Sequence, residues 1–332
     1  MKLTVESLPA QLAQRVLPAY LISGDEPLLA AEAADAVRAR ARQAGFTERE
    51  VYFIERAGDW DAARASAANL SLFGARRVLE LRLASGRPGS TGNAALVALL
   101  KGEAPDTLLL ILAPRLDREA QSAEWVREVE RRGAWLAVWP IDAARLPAWL
   151  RARSRSLGLK LDEPALELLA ARTEGNLLAA RQELEKLALL AEGPLGAAQL
   201  EGGVADSARF DVFQLSEAAL SGNAARSLRM LAGLRAEGTE ATLVLWALSK
   251  ALRDVWNALA DGGRPPAWQR HGAALAQALQ RAPRLSFLAL VRRAARADRI
   301  IKGREPGNAW DELALLAAEL CGTPSAALVR AS

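Results

Sequence analysis

Histidine and cysteine are almost missing from this sequence: His271 and Cys321 are the only ones in 332 residues. A zinc site of four cysteines, or of two cysteines and two histidines, cannot be assembled from that stock, nor can an intramolecular disulfide. A Ser-His-Asp or Cys-His group would have to use the one imidazole. Arg270-His271-Gly272, beside Gly and Pro punctuation, reads instead as an exposed loop or helix start. Long hydrophobic runs are missing too. The longest, near Leu108–Ala113, falls far short of the roughly 20 residues that span a bilayer. Met1-Lys2-Leu3-Thr4-Val5-Glu6 meets a carboxylate early and has no signal-peptide core, so a cytoplasmic protein without membrane contact is expected. Lysine is scarce: six of the 43 basic residues, the rest being arginine. A net charge of +4 and a pI near 9.5 are too mild for a protein that coats nucleic acid. The Arg/Ala bias is read as genome composition, and the excess charge as solvated surface. Carboxylates are scattered along predicted helices. The tightest pair, Asp59-Trp60-Asp61, is placed at a helix N-terminus, where acidic groups meet the positive end of the dipole. No catalytic residue, metal site or cofactor is expected.

What is present falls into two patterns. Over residues 1–140, short apolar runs alternate with helical spacing. Predicted strands are Ala19–Ser23, Glu50–Glu55, Arg77–Leu81, Thr107–Ala113 and Ala134–Trp139. Predicted helices between them are Leu28–Ala44, Asp61–Asn69, Ala94–Lys101 and Ser122–Arg132. The alternation predicts an α/β domain with a mainly parallel sheet. Gly86-Arg87-Pro88-Gly89-Ser90-Thr91-Gly92 reads as a flexible loop. After Pro140 no convincing strand follows. Asp162-Glu163-Pro164 starts one helix and Asn176 caps another over Leu177–Leu190, giving a small helical domain at 141–209. Phe210–Leu220, Ala224–Ala236, Thr239–Ala260, Leu285–Ile301 and Trp310–Cys321 form a further all-helical domain at 210–332.

An α/β domain followed by a small helical module is the layout of AAA+ ATPases, so the loop after the first strand is decisive. It reads Ser23-Gly24-Asp25-Glu26-Pro27-Leu28-Leu29. A phosphate loop needs G-x-x-x-x-G-K-[ST], with backbone amides and a lysine on the phosphates and a hydroxyl on the metal. Gly24, Asp25, Glu26 and Pro27 form a degenerate version. It has no lysine, and its two carboxylates stand in the positive field a phosphate would need. The fourth strand runs out through Ala113-Pro114-Arg115 without an acidic pair, so the carboxylates that hold metal for ATP hydrolysis are missing as well.

Five stretches, in order along roughly residues 5–320, resemble the delta subunit family of the bacterial DNA polymerase III clamp loader. They are Tyr20–Leu29; Asn69-Leu70-Ser71-Leu72-Phe73-Gly74-Ala75-Arg76-Arg77-Val78; Glu174-Gly175-Asn176-Leu177-Leu178-Ala179-Ala180 with Gln182–Leu187; Phe210-Asp211-Val212-Phe213 with Ala218–Gly222; and Trp310-Asp311-Glu312-Leu313. The resemblance implies an AAA+-like domain, a helical lid and a helical collar. It implies a hetero-oligomeric ring with gamma/tau and delta-prime subunits, through which primer–template DNA passes, and no cofactor held by this chain. It also implies that Leu70, Ser71, Leu72 and Phe73 bind the beta sliding clamp. On residues alone, Leu72 and Phe73 would equally serve as core plugs at a helix end. As a clamp anchor, the pair offers much apolar area at small entropic cost. Ala68 stands where the family motif often has Gln. Arg76 and Arg77 are open to two readings, contact with an acidic clamp surface or solvation. Arg292-Arg293 and Arg296 are candidates to lie near DNA phosphate. The rival to this reading is a helical scaffold or adaptor on a degenerate AAA+ fold, without affinity for the clamp.

Overall fold

The computed structural model describes residues 1–68, 76–102, 106–191, 193–201, 208–261 and 272–323. The predicted clamp-binding residues Leu70, Ser71, Leu72 and Phe73, and also His271, lie outside the described residues. The chain divides into two compact units, Met1–Arg145 and Leu146–Ser332.

The first unit holds six strands: β1 (Lys2–Leu3), β2 (Ala19–Gly24), β3 (Phe46–Ile54), β4 (Arg76–Leu83), β5 (Thr107–Ala113) and β6 (Ala134–Val138). They pair in the order β1-β6-β2-β5-β4-β3, every pair parallel. Its helices are α1 (Leu8–Gln14), α2 (Pro27–Gln43), α3 (Asp59–Ala68), α4 (Gly89–Lys101), α5 (Arg118–Gln121) and α6 (Glu124–Arg132). A parallel sheet has to be covered on both faces, because each crossover lays a helix on it. Leu79, Leu81 and Leu83 of β4 join Ala19, Leu21, Leu109 and Ile111 in a core with Trp60 and Ala63 of α3, Leu96 of α4 and Trp125 of α6. Alternate residues of β4, Val78 and Glu80, face the other way, and Arg38 of α2 meets Glu80 there.

The structure departs from the sequence reading at several elements. Edge strand β3 starts at Phe46, four residues before the predicted Glu50, through Thr47-Glu48-Arg49. One side of an edge strand has no ladder partner, so polar and charged residues are tolerated there and blunt the edge. The second half of the predicted loop, Gly89–Gly92, is the first turn of α4. A Cβ on Gly92 would lie 2.8 Å from the Trp60 ring, so this glycine serves close packing of α4 on α3. Strand β1 and helix α1 carried no predicted signal.

In the second unit, α7 (Leu146–Ser156), α8 (Glu163–Thr173), α9 (Leu177–Leu190) and α10 (Ala197–Glu201) are followed by α11 (Val212–Leu220), α12 (Ala224–Ala236), α13 (Ala241–Ala260), α14 (Gly272–Arg281), α15 (Phe287–Ile301) and α16 (Ala309–Leu320). Asp162 and Asn176 cap α8 and α9 as predicted, each accepting a backbone N–H. Helices α11 to α16 share one core, including Leu215, Met230, Leu248, Val255, Leu275 and Leu316. Helices α7, α10 and α14 were not anticipated. Among the described residues no helix is long and apolar enough to cross a membrane.

Candidate functional site

Two places in the first unit correspond to the stretches singled out in the sequence, at opposite ends of the parallel strands. The loop Gly24–Pro27 leaves the C-terminal end of β2 for the start of α2. Gly24 pairs with Val138 of β6 so closely that a Cβ there would sit 1.7 Å from the Val138 carbonyl oxygen. Ser23 is buried, and its hydroxyl accepts the indole N–H of Trp135 at 2.8 Å. Glu26 is the N-cap of α2: its Oε1 accepts the Leu28 N–H at 3.1 Å. Pro27, next in the chain, has no N–H to offer. One amide of the helix start is thus taken by a carboxylate and another is absent, where a phosphate loop presents both to its ligand. Glu26 is only 7% exposed. Its burial raises the carboxyl pKa, with the Leu28 hydrogen bond opposing that rise. Asp25 faces Arg115 at 3.8 Å, and the Arg115 guanidinium stacks on the Trp139 ring, 4.8 Å from its centroid. The residue after Ala113-Pro114 thus brings a cation to this end of the strands.

The second place is where α3 ends and β4 begins, at the N-terminal edge of the strands. Helix α3 starts on Asp59, whose Oδ2 accepts the N–H groups of Glu55 and Arg56 at 2.9 and 2.8 Å, as the Asp59-Trp60-Asp61 signature predicts. Its last described turn carries Ser66 and Ala67. Arg77 reaches that turn: Nη2 donates to the carbonyl oxygens of Ser66 at 2.7 Å and Ala67 at 3.3 Å. Its Nη1 meets Glu50 Oε1 at 3.3 Å and its Nε the Thr107 hydroxyl at 3.3 Å. Glu50 Oε2 accepts the hydroxyls of Ser66 at 2.5 Å and Tyr52 at 3.0 Å. Those bonds, Ser66 foremost, lower the Glu50 pKa against the opposing effect of burial.

Arg77 therefore fits neither sequence-based reading: it is buried, and it binds this protein's own helix end. Arg76 is engaged as well, donating to the Ala44 carbonyl at 2.7 Å and lying 4.1 Å from the centroid of the Phe46 ring. A third ionic feature was missed by sequence reasoning. Glu80, fully buried in mid-strand, accepts from Arg38 at 2.9 Å through both oxygens, from Arg49 at 2.9 Å and from Arg82 at 2.8 Å. Burial pushes its pKa up, but the three arginines outweigh it and hold the carboxyl at about 2. A lone Glu in an apolar strand was the signal available, since a buried carboxylate requires cationic partners.

This geometry can be set beside known proteins. A family model described as DNA polymerase III, delta subunit, matches residues 20–138, and one described as a middle domain matches residues 146–196. The chain is 32% identical, over 335 aligned positions and 98% of both sequences, to DNA polymerase III subunit delta of Escherichia coli (strain K12). The chain belongs to the DNA polymerase III delta subunit family. The family member of Haemophilus influenzae (strain Rd) is 25% identical over 95% of this chain and 98% of that one. The solved Bacillus subtilis DNA clamp loader delta protein superposes with a TM-score of 0.55 over 96% of this chain and 99% of that one, at 18% identity, which shows a common fold.

The other delta-like stretches fall on ordered joints. Glu174 is buried and pairs with Arg226 and, at 3.7 Å, with Arg229. Gly175 has φ +74°, and a Cβ there would lie 2.1 Å from the Arg209 carbonyl oxygen. Asp211 and Gln214 form a reciprocal capping box on α11. Glu312 pairs with Arg293 at 3.1 Å and Arg296 at 3.0 Å; Arg293 also binds Glu319 and Arg296 also binds Glu305. Two of the arginines singled out as phosphate candidates are thus neutralised by carboxylates of their own unit.

Proposed function

We propose that this chain is the clamp-opening subunit of a DNA polymerase III clamp loader, acting by binding and without catalysis of its own. The observation that carries the second half is Glu26. Its carboxylate occupies the Leu28 amide at the start of α2, and it would repel a phosphate from the field that AAA+ ATPases use to bind one. Family membership supports the first half. In this reading Leu72 and Phe73, between α3 and β4, dock on the beta sliding clamp, with Leu70 and Ser71 beside them. The helix leading to them presses on a clamp subunit interface, and the ring opens on one side. ATP bound by gamma/tau neighbours exposes the element, since a ligand shifts a conformational population only through differential affinity. Residues 1–140, 141–209 and 210–332 act as the AAA+-like, lid and collar domains. The collar meets its neighbours, delta-prime among them, through apolar groups left at the surface. Phe213 with Trp246, and Trp256 with Leu288 and Val291, are exposed on α11, α13 and α15. Primer–template DNA is contacted only within the assembled ring, in the cytoplasm.

The test is binding of the purified chain to the cognate sliding clamp without ATP, beside the Leu72→Ala/Phe73→Ala double variant. Burying each side chain contributes about 1.5–3 kcal/mol, so the double variant is expected to bind on the order of a hundredfold or more weakly while keeping its far-UV circular dichroism. A wild-type chain with no affinity for the clamp, alone or with ATP-bound partner subunits, would instead favour the scaffold reading.

A further inference from the structure

The function proposed above makes no use of the arginines around Glu80. Arg49, Val51 and Phe53 of β3 stand in register with Val78, Glu80 and Arg82 of β4, so all of them share one face of the sheet. Glu80 is buried there against Arg38, Arg49 and Arg82. The engagement of these arginines differs. Arg38 spends Nε and Nη2 on Glu80 and Nη1 on Asp35. Arg49 and Arg82, with side chains 44% and 40% exposed, each give Glu80 only their Nε. Among the described residues nothing accepts a hydrogen bond from the Nη atoms of either. Beside them Phe53 is 61% exposed, and the Arg82 guanidinium lies over its ring, 5.2 Å from the centroid.

Charge on an edge strand guards against stray pairing, and that alone would account for Arg49. It does not account for a bare phenyl ring next to two guanidinium groups already held in place. The charges do not cancel either. Glu80 and Asp35 offset two of the three cations, and the excess stays with the exposed pair. Arginine and aromatic side chains are the groups that protein interfaces favour as anchors. A guanidinium fixed through Nε has less freedom to lose on binding, and its Nη fork matches a carboxylate. A phosphate would match the fork too, but single-stranded nucleic acid also stacks successive bases on open aromatic faces. Here there is one exposed ring, and this protein's own Arg82 lies over it. An apolar side chain can pack against the rest of that ring.

We infer that Arg49, Arg82 and Phe53 form a docking surface for an acidic segment of a partner protein, whose carboxylates accept from the unspent Nη groups while a neighbouring apolar side chain packs on Phe53. The experiment is fluorescence anisotropy of the full chain with a labelled peptide of alternating Glu and Leu, and in parallel with a labelled oligothymidylate. Urea melts give the folded fraction of each variant. The wild type is expected to bind the peptide with a Kd below about 1 mM, more weakly as salt is added. Arg49→Ala/Arg82→Ala is expected to weaken binding about tenfold or more. Phe53→Ala, at an exposed site, is expected to weaken it about fivefold, and it carries the test should the double variant not fold. Arg235→Ala removes an exposed charge from α12 of the other unit and is expected to stay within about twofold of wild type. No binding of the peptide by the wild type overturns the inference, as does unchanged affinity in either folded variant. An equal loss in Arg235→Ala would reduce the effect to net charge and overturn it as well. Oligothymidylate bound more tightly than the peptide, and lost in the same variants, would make the surface a nucleic-acid site and end the reading as a protein-docking surface.

Discussion

Glu26 and Arg77 lie at opposite ends of the parallel strands of one sheet, each against a helix whose dipole favours its charge. The anion is on the N-terminus of α2 and the cation on the C-terminus of α3. Their reach differs. Glu26 bonds an amide two residues ahead, and burial costs its charge enough to raise its pKa. Arg77 bonds carbonyls on the preceding helix and side chains on two neighbouring strands. The local cap ties a residue to the helix that directly follows it. The long-range bonds tie α3 to β3, β4 and β5. One electrostatic rule thus serves a local cap at one end of the strands and a link between distant stretches of chain at the other.

The charge between the two ends sets the upper limit of the comparison. Glu80→Gln should lower unfolding free energy at neutral pH by about 3 kcal/mol, because it leaves Arg38 short of its buried partner, as a urea melt would read. The pH dependence has a definite sign. With a folded pKa of about 2 against an ordinary 4.5, the Glu80 contribution is complete above about pH 4.5 and lost as pH falls toward 2. Melting temperatures taken across that window should drop in the wild type and stay flatter in Glu80→Gln. Next in size is Gly24→Ala. The new Cβ meets a backbone carbonyl on β6 that cannot swing aside, and a loss of about 2–3 kcal/mol is expected in the same melt. At the other end, Ser66→Ala should cost about 1–2 kcal/mol, as a hydrogen bond to a charged partner does. Equal costs at the two ends would show that the bonds around Arg77 do no more for stability than the loop. The smallest effects belong to Glu26. Glu26→Ala removes a cap and should cost about 1 kcal/mol. Glu26→Gln keeps the acceptor and sheds a charge whose raised pKa marks it as disfavoured when folded; that disfavour sets in as pH rises through the carboxylate range. Thermal melts at pH 7 should therefore find Glu26→Gln no less stable than wild type.

Much of this was legible in the sequence, for physical reasons that differ by element. The strands β2, β4, β5 and β6 declare themselves because buried parallel strands are continuous apolar runs. Strand β1, at two residues, is too short to carry a period, and the polar first half of β3 resembles a loop because it lies on an edge. The degenerate phosphate loop was readable residue by residue, since Gly24, Asp25, Glu26 and Pro27 act through local backbone. The bonding of Arg77 was not. Two of its partners are carbonyl groups, which every residue has, and the others lie on β3 and β5, so nothing in Arg76-Arg77 separates a helix cap from a solvated pair. The partners of Arg293 and Arg296 were hidden for the same reason: their carboxylates, Glu319, Glu312 and Glu305, are brought near only by the packing of α15 on α16 and the turn between them.

Glu80 has one more consequence, for how the sheet is assembled. Side chains along a strand alternate between faces, so a slip of one residue exchanges them all. Leucine-rich parallel strands discriminate weakly between such alignments, because either face offers hydrocarbon. Shifted by one residue, β4 would turn Glu80 away from Arg38 and into the cluster of Trp60, Leu96 and Ile111, with no cation to meet it. A single carboxylate therefore makes the neighbouring alignments of β4 untenable, and the strand carries its own proofreading mark.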